Sequence, residues 1–282
     1  MMSISNQIKT VLLLGLLTAL LLWIGNLVGG VTGLTFALIF SLLFNFGTYW
    51  FSDKIALAIY KAKPVKESDQ PELYKIVKEV SKSAKISMPR VFLIEAPYAN
   101  AFATGRNPEH AAVAVTKGIM QILDKEELKG VIAHEISHVK NRDTLIATIA
   151  ATIASIISYL AVIVRYLPIS GNGRDKGPSL LEWIVLGFLT PFLAMLIQLA
   201  ISRSREYIAD ASGAKLVHSG KGLADALAKL EKQKSVISLK RNSTTQTSAH
   251  MFITNPFKGE AFLHMFMTHP STSERIKRLR EL

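Results

Sequence analysis

Two uncharged apolar runs lie almost end to end near the start of the chain, and they constrain its fold more than any other feature. Residues 11–28 read VLLLGLLTALLLWIGNLV and residues 33–51 read GLTFALIFSLLFNFGTYWF. Each is about as long as a helix that crosses the hydrocarbon core of a bilayer, and a helix apolar on every side has no face to offer water. The first run has the length of a secretory signal. However, no small-x-small cleavage site follows it and a second apolar run begins at once, so it reads as a retained anchor. A third stretch, Leu145 to Leu167, carries one charge, Arg165, close enough to its end to snorkel to the interface. A fourth, Leu180 to Ile201, has Glu182 at its edge and Pro191 inside, where a membrane helix tolerates a kink. The third and fourth also fit a buried helical hairpin at the membrane face, because hydropathy alone does not separate the two arrangements.

Lys and Arg near these runs set the expected orientation. Lys9 precedes the first run, and Lys54, Lys61 and Lys63 follow the second. Lys140 and Arg142 precede the third, and Arg203 and Arg205 follow the fourth. Both termini are then expected in the cytoplasm, together with the two polar segments. This divides the chain into two N-terminal transmembrane helices (1–51), a first catalytic part (52–144), a second hydrophobic hairpin (145–201) and a second catalytic part (202–282). The absence of cysteine suits that reducing side. The net charge of +12 raises nucleic acid as a partner, but no binding motif accompanies it. Basic residues on helix faces and membrane flanks, attracted to anionic headgroups of the lipid bilayer, account for it more simply.

Within the polar segments, Pro71 to Ala84 reads as an amphipathic helix with Leu73, Ile76, Val77 and Val80 on one face. Three short β-rich runs follow: Pro89 to Ile94, Asn100 to Gly105, and Ala111 to Thr116. They suggest a small antiparallel sheet whose free edge can pair with an extended substrate. Gly222 to Lys232 is helix-like, Ser235 to Ser248 is polar and loop-like, and Ser271 and Glu274 have capping-box spacing at the head of a last basic helix. The expected fold class is α+β and mainly helical. It is an integral membrane protein with about four hydrophobic helices and a cytoplasmic zincin-like catalytic domain.

The chemistry is concentrated in His134-Glu135-Ile136-Ser137-His138. Residues four apart stand one above the other on a helix, so His134 and His138 can reach one ion. Glu135 can then face a water molecule beside that ion. Zinc brings the pKa of such a water toward 7, and a neighbouring carboxylate can take its proton during attack on a peptide carbonyl. Asp124 is the expected N-cap of this helix. Catalytic zinc normally takes three protein ligands. A histidine six residues beyond the second, after a glycine at plus three, would supply the third, but those positions hold Thr144 and Asn141. Asp143 lies five residues past His138, off the ligand face of a continuing helix. Glu206 is the better candidate, with Asp210 one turn on to reach the second nitrogen of a ligand histidine and fix its tautomer. Taken alone, that Glu-x-x-x-Asp reads first as an ordinary helix-surface pair.

HEISHVKNRD, SREYIAD, NAFATG and THPSTSERI, in this order and with the paired apolar spans, resemble the HtpX-type membrane zinc endopeptidases. That family is itself similar to the prenyl-protein CAAX endopeptidases within the gluzincin group. The resemblance covers nearly the whole chain. It implies one Zn2+ per subunit, held by His134, His138 and Glu206, with Glu135 as the base. It implies that Asn100, Ala101, Phe102, Ala103, Thr104 and Gly105 form the substrate-holding edge strand and that His269 lies near the cleft. His269, Tyr207 and Arg275 are the candidates for stabilising the oxyanion. The implied activity is ATP-independent hydrolysis of misfolded or damaged membrane proteins at the cytoplasmic membrane. A CAAX-type prenyl-peptide protease and a non-catalytic zinc-containing membrane scaffold are the rival readings. A purely structural site has no need of Glu135.

Overall fold

A computed structural model describes residues 2–146, 149, 203–233 and 271–282. The third apolar stretch apart from Leu145, Ile146 and Ile149, the fourth stretch, the Ser235–Ser248 loop and His269 lie outside the described residues.

Both N-terminal runs are helical, within α1 (Met2–Ile59), which continues past the expected boundary at residue 51. Gly30 takes a φ of +54°, open to glycine because it lacks a Cβ. Asn45 Nδ2 donates to Thr18 Oγ1 at 2.7 Å and to the Leu14 carbonyl at 3.4 Å. In a straight helix those partners would be about 40–47 Å away, so the two arms double back and lie side by side. Gly30–Ile59 is long and apolar enough to cross a bilayer, and only 6% of its 18-residue apolar centre is buried. Phe36, Leu42, Leu43 and Phe46 are all exposed on it.

The body beyond α1 is built on α2 (Pro71–Ala84), α3 (Lys117–Ile122), α4 (Lys125–Lys140), α5 (Arg203–Val217), α6 (Lys221–Gln233) and α7 (Thr272–Leu279), with four strands. The buried stripe of α2 is the one its periodicity predicts: Leu73, Ile76, Val77 and Val80. Asp124 caps α4 as expected. Its side chain accepts from Glu127 N at 3.0 Å, and the Glu127 carboxylate accepts from Asp124 N at 2.9 Å, which satisfies two of the free amides at the helix start. Ser271 caps α7 by accepting from Glu274 N, but the Glu274 carboxylate turns to Arg278 at 2.8 Å.

The strands are β1 (Lys63–Pro64), β2 (Arg90–Ile94), β3 (Ala101–Thr104) and β4 (Ala112–Thr116), in the order β1-β2-β4-β3. The expected antiparallel sheet is in fact mixed. β1/β2 and β3/β4 are antiparallel, but β2 and β4 run parallel, with Arg90 opposite Ala112 and Ile94 opposite Thr116. The cause is a crossover. After β2 the chain passes over the position of β4, forms the edge as β3, and returns between them. Thr116 locks this return, since its hydroxyl donates to the Asn100 carbonyl at 3.0 Å and accepts from Asn100 N at 2.9 Å.

Alternation along β4 divides its side chains between two cores. Val113 and Val115 join α2, α4 and α6 in the larger core. Ala112 and Ala114 face the other way and meet Phe92, Ile94 and Phe102, together with Leu57 and Tyr60 from the end of α1. The sheet is therefore held between the metal-site helix and the foot of the apolar hairpin.

Candidate metal centre

α4 carries the motif through the middle of the larger core, with Val131, Ile132, Ala133 and Ile136 buried around it. His134 and His138 stand one turn apart, and their Nε2 atoms are 3.2 Å from each other. Glu206, in the first turn of α5, brings Oε2 to 3.6 Å from His134 Nε2 and Oε1 to 3.5 Å from His138 Nε2. Gly213, two turns along α5 on the same face, allows this approach. A Cβ there would lie 3.0 Å from His134 N and 3.1 Å from the Ala133 carbonyl carbon.

These three side chains offer donor atoms all within 4.8 Å of one another, the one such group among the described residues. A tetrahedral ion bound at about 2.0–2.1 Å requires donors about 3.3 Å apart; the two Nε2 atoms meet this at 3.2 Å, and Glu206 brings one oxygen to each ring at 3.5–3.6 Å, so the donor set suits zinc. Two imidazoles and a carboxylate also form one of the donor sets used by catalytic zinc.

Each imidazole is held from behind by a carboxylate. His134 Nδ1 is 2.9 Å from Asp210 Oδ1. His138 Nδ1 is 3.2 Å from Asp143 Oδ2. Protonated on Nδ1, each ring presents a bare Nε2 to the cluster. Burial opposes a charge on His138, yet the bonds from Asp143 and Glu206 outweigh it. With no cation between the ligands, its pKa is pushed up to about 10. Burial likewise works against the Asp210 carboxylate, but bonds from His134 and Arg275 hold its pKa below the usual carboxylate value.

Arg275, from α7, is 2% exposed and grips both oxygens of Asp210, at 2.8 and 2.7 Å. Its Nη2 comes within 3.5 Å of His134 Nδ1 and its Nη1 within 3.6 Å of Glu206 Oε2. It thus stands behind the ligands. Tyr207 is next to Glu206 but about 100° around the helix, and its ring lies under the Arg278 guanidinium at 4.0 Å.

Glu135 points to the sheet. Its Oε2 accepts from Ala103 N at 3.0 Å. Because β3 is an edge strand, this amide faces away from β4, and the Glu135 carboxylate bridges α4 and the outer edge of β3.

Sequence reasoning missed three partners. Asp143 was discounted as off the helical face, but α4 ends at Lys140 and Arg142 takes a φ of +59°, which swings Asp143 back to His138. The helix-stopping Asn141-Arg142 pair was the available signal. Arg205, read as a membrane-flanking charge, is buried; burial lowers its pKa, while Asp143 and Glu206 pull it back up. The Ala103 amide is backbone, and no side-chain pattern reports it.

With this geometry in place, comparison with known proteins is decisive. The sequence profile of peptidase family M48 matches residues 67–282. The chain belongs to peptidase family M48. It is a metalloprotease. Curated M48-type relatives named protease HtpX homologs are similar over almost their whole length. The one from Syntrophobacter fumaroxidans is 47% identical over 98% of this chain and 99% of the relative. The one from Pyrococcus furiosus is 48% identical over 100% and 97%, and the one from Persephonella marina 49% over 98% and 97%. The crystal structure of S. mikatae Ste24p shares the fold, with a TM-score of 0.52 at 17% identity. The match covers 99% of this chain and 66% of that one.

Proposed function

We propose that this M48 peptidase hydrolyses peptide bonds of misfolded or damaged membrane proteins at the cytoplasmic face of the cell membrane. In this reading His134, His138 and Glu206 hold one zinc ion and Glu135 is the general base. The supporting observation is the placement of Glu135 between two partners: the His134, His138 and Glu206 donor cluster, two of whose members share its helix, and the outward amide of an edge strand. When bound, zinc supplies Lewis acidity that polarises the carbonyl oxygen and brings water toward ionisation at neutral pH. Glu135 takes the proton from the attacking water and delivers it to the leaving amine. The Ala103 N–H restrains one carboxylate oxygen, so the other receives the proton. Asp210 and Asp143 keep His134 and His138 in the tautomer that leaves Nε2 free to bind, and Arg275 balances the negative charge behind them.

β3, from Ala101 to Thr104, aligns an extended substrate by strand addition. Gly30–Ile59 tethers the enzyme beside its substrates, and the basic residues that flank the apolar runs favour a topology with both termini in the cytoplasm. The test is Glu135→Gln in the full chain. Cleavage of casein or of a destabilised membrane protein should fall at least about a hundredfold, while one zinc per chain is retained. Undiminished turnover would end this reading.

A further inference from the structure

A cavity of about 620 Å³ opens at the foot of the apolar hairpin, lined by none of the candidate metal ligands, and the protease chemistry does not use it. Its size is in the range of small-molecule sites. One wall is aromatic: Phe46, Trp50 and Phe51, from the last turns of the uncharged run of α1. The other is cationic, with Lys54 from the next turn, Arg90 from the start of β2 and Arg106 from the turn after β3. Asp53 pairs with Arg90. Among the described residues, Lys54 and Arg106 pair with no carboxylate and rest on aromatic rings instead. Lys54 Nζ is 5.2 Å from the centre of Phe51, and the Arg106 guanidinium is 4.6 Å from that of Trp50.

The position of this cavity along α1 suggests its occupant. Residues 33–51 carry no charge, and Asp53 and Lys54 are the first charged side chains after them. Tyr49 and Trp50 are exposed at the same level, where aromatic residues mark the headgroup zone. The cavity therefore straddles the boundary between acyl chains and water, with its apolar wall toward the chains and its free cations toward the headgroups. We infer that it is a binding site for an anionic phospholipid, with the phosphate against Arg106 and Lys54 and the upper acyl chain along Phe46 and Trp50. This assignment rests on the membrane-spanning reading of Gly30–Ile59. It also reaches the protease. Arg106 directly follows Gly105, whose carbonyl accepts from Thr144 Oγ1 at 3.2 Å, next to Asp143 behind His138.

The test uses full-length protein with Trp23 and Trp183 changed to Phe, leaving Trp50 as reporter. The protein is reconstituted into phosphatidylcholine vesicles doped with brominated phosphatidylglycerol or with brominated phosphatidylcholine. Trp50 should be quenched much more efficiently by the anionic lipid. Replacing cations at a lipid surface should reduce that preference about fivefold for each one lost, on the order of twenty-fivefold for Lys54→Gln with Arg106→Gln. Glu109→Gln, which removes a negative charge from the same cavity, should increase it and serves if the double variant does not fold. Equal quenching by the two lipids in the parent protein overturns the site, as does a preference that survives the double variant or is unmoved by Glu109→Gln. Flotation of the protein with plain phosphatidylcholine vesicles tests the membrane reading separately. Failure to float overturns both, whereas flotation with equal quenching overturns the lipid site alone.

Discussion

Arg275→Met removes a buried guanidinium and leaves a side chain of comparable length in its place. Asp210, only 5% exposed at its side chain, then loses the partner that grips both its oxygens. Glu206 is less affected, because Arg275 approaches it only at 3.6 Å and both imidazoles remain beside it. Removing one member of a buried ion pair costs about 3–5 kcal/mol, mostly because the remaining charge is stranded. For a body of this size each kcal/mol moves the melting temperature by about 2–4 °C, so a fall of roughly 6–20 °C is expected. The assay is a thermal melt of the full chain in detergent, with chelator and again with excess zinc. The paired variant Arg275→Met with Asp210→Asn supplies the control. Asparagine still accepts from His134 Nδ1, and with the stranded charge gone at least about 1 kcal/mol should return. A single variant within 1 kcal/mol of the parent, or a double variant no more stable than the single, would refute the view that Arg275 acts through Asp210.

Asp143→Ala should weaken zinc binding about 10–100-fold in a chelator competition, with Asp143→Asn less affected; an unchanged affinity would show that His138 needs no support from behind. Gly130→Ala should destabilise the body and separate α4 from α6, because a Cβ at that position would fall 2.4 Å from the backbone nitrogen of Leu223; a melt matching the parent's would count against the close approach. Asp124→Ala should cost about 1 kcal/mol as a lost N-cap. The amide of Glu127 holds the Asp124 carboxyl below its usual pKa, so the stabilisation is fully present above about pH 4 and disappears as pH falls through the folded value. The difference between parent and variant should therefore shrink in acid, and a difference that grows there would contradict the assignment.

How much of this was legible in the sequence depends on the range over which each signal acts. α2 and the start of α4 could be read because their apolar spacing and the Asp124–Glu127 box are local. The pairing of His134 and His138 on one helical face could be read for the same reason. Glu206 and Asp210 could be named from their spacing, but the family resemblance was needed to prefer them over an ordinary helix-surface pair, since nothing in SREYIAD states that α5 packs against α4. The parallel pairing of β2 with β4 was not legible, because strand neighbours are chosen by the crossover and by the Asn100–Thr116 lock. β1, only two residues long and containing Pro64, has too little pattern to detect. Asp143 is outside the candidate ligand set, as its position suggested, but its contact with His138 Nδ1 was not legible because it depends on where the helix stops.

The packing of α1 against the sheet has a mechanical consequence. Tyr60, just past the end of the apolar hairpin, has its ring 4.9 Å from that of Phe102 on β3. The next residue, Ala103, donates the amide that restrains Glu135. A helix longer or shorter than its bilayer is accommodated by tilting. In the proposed membrane setting a tilt of α1 would therefore reach the Glu135 carboxylate through one ring contact and one peptide unit, and the thickness of the surrounding bilayer would become an input to the geometry of the proposed site.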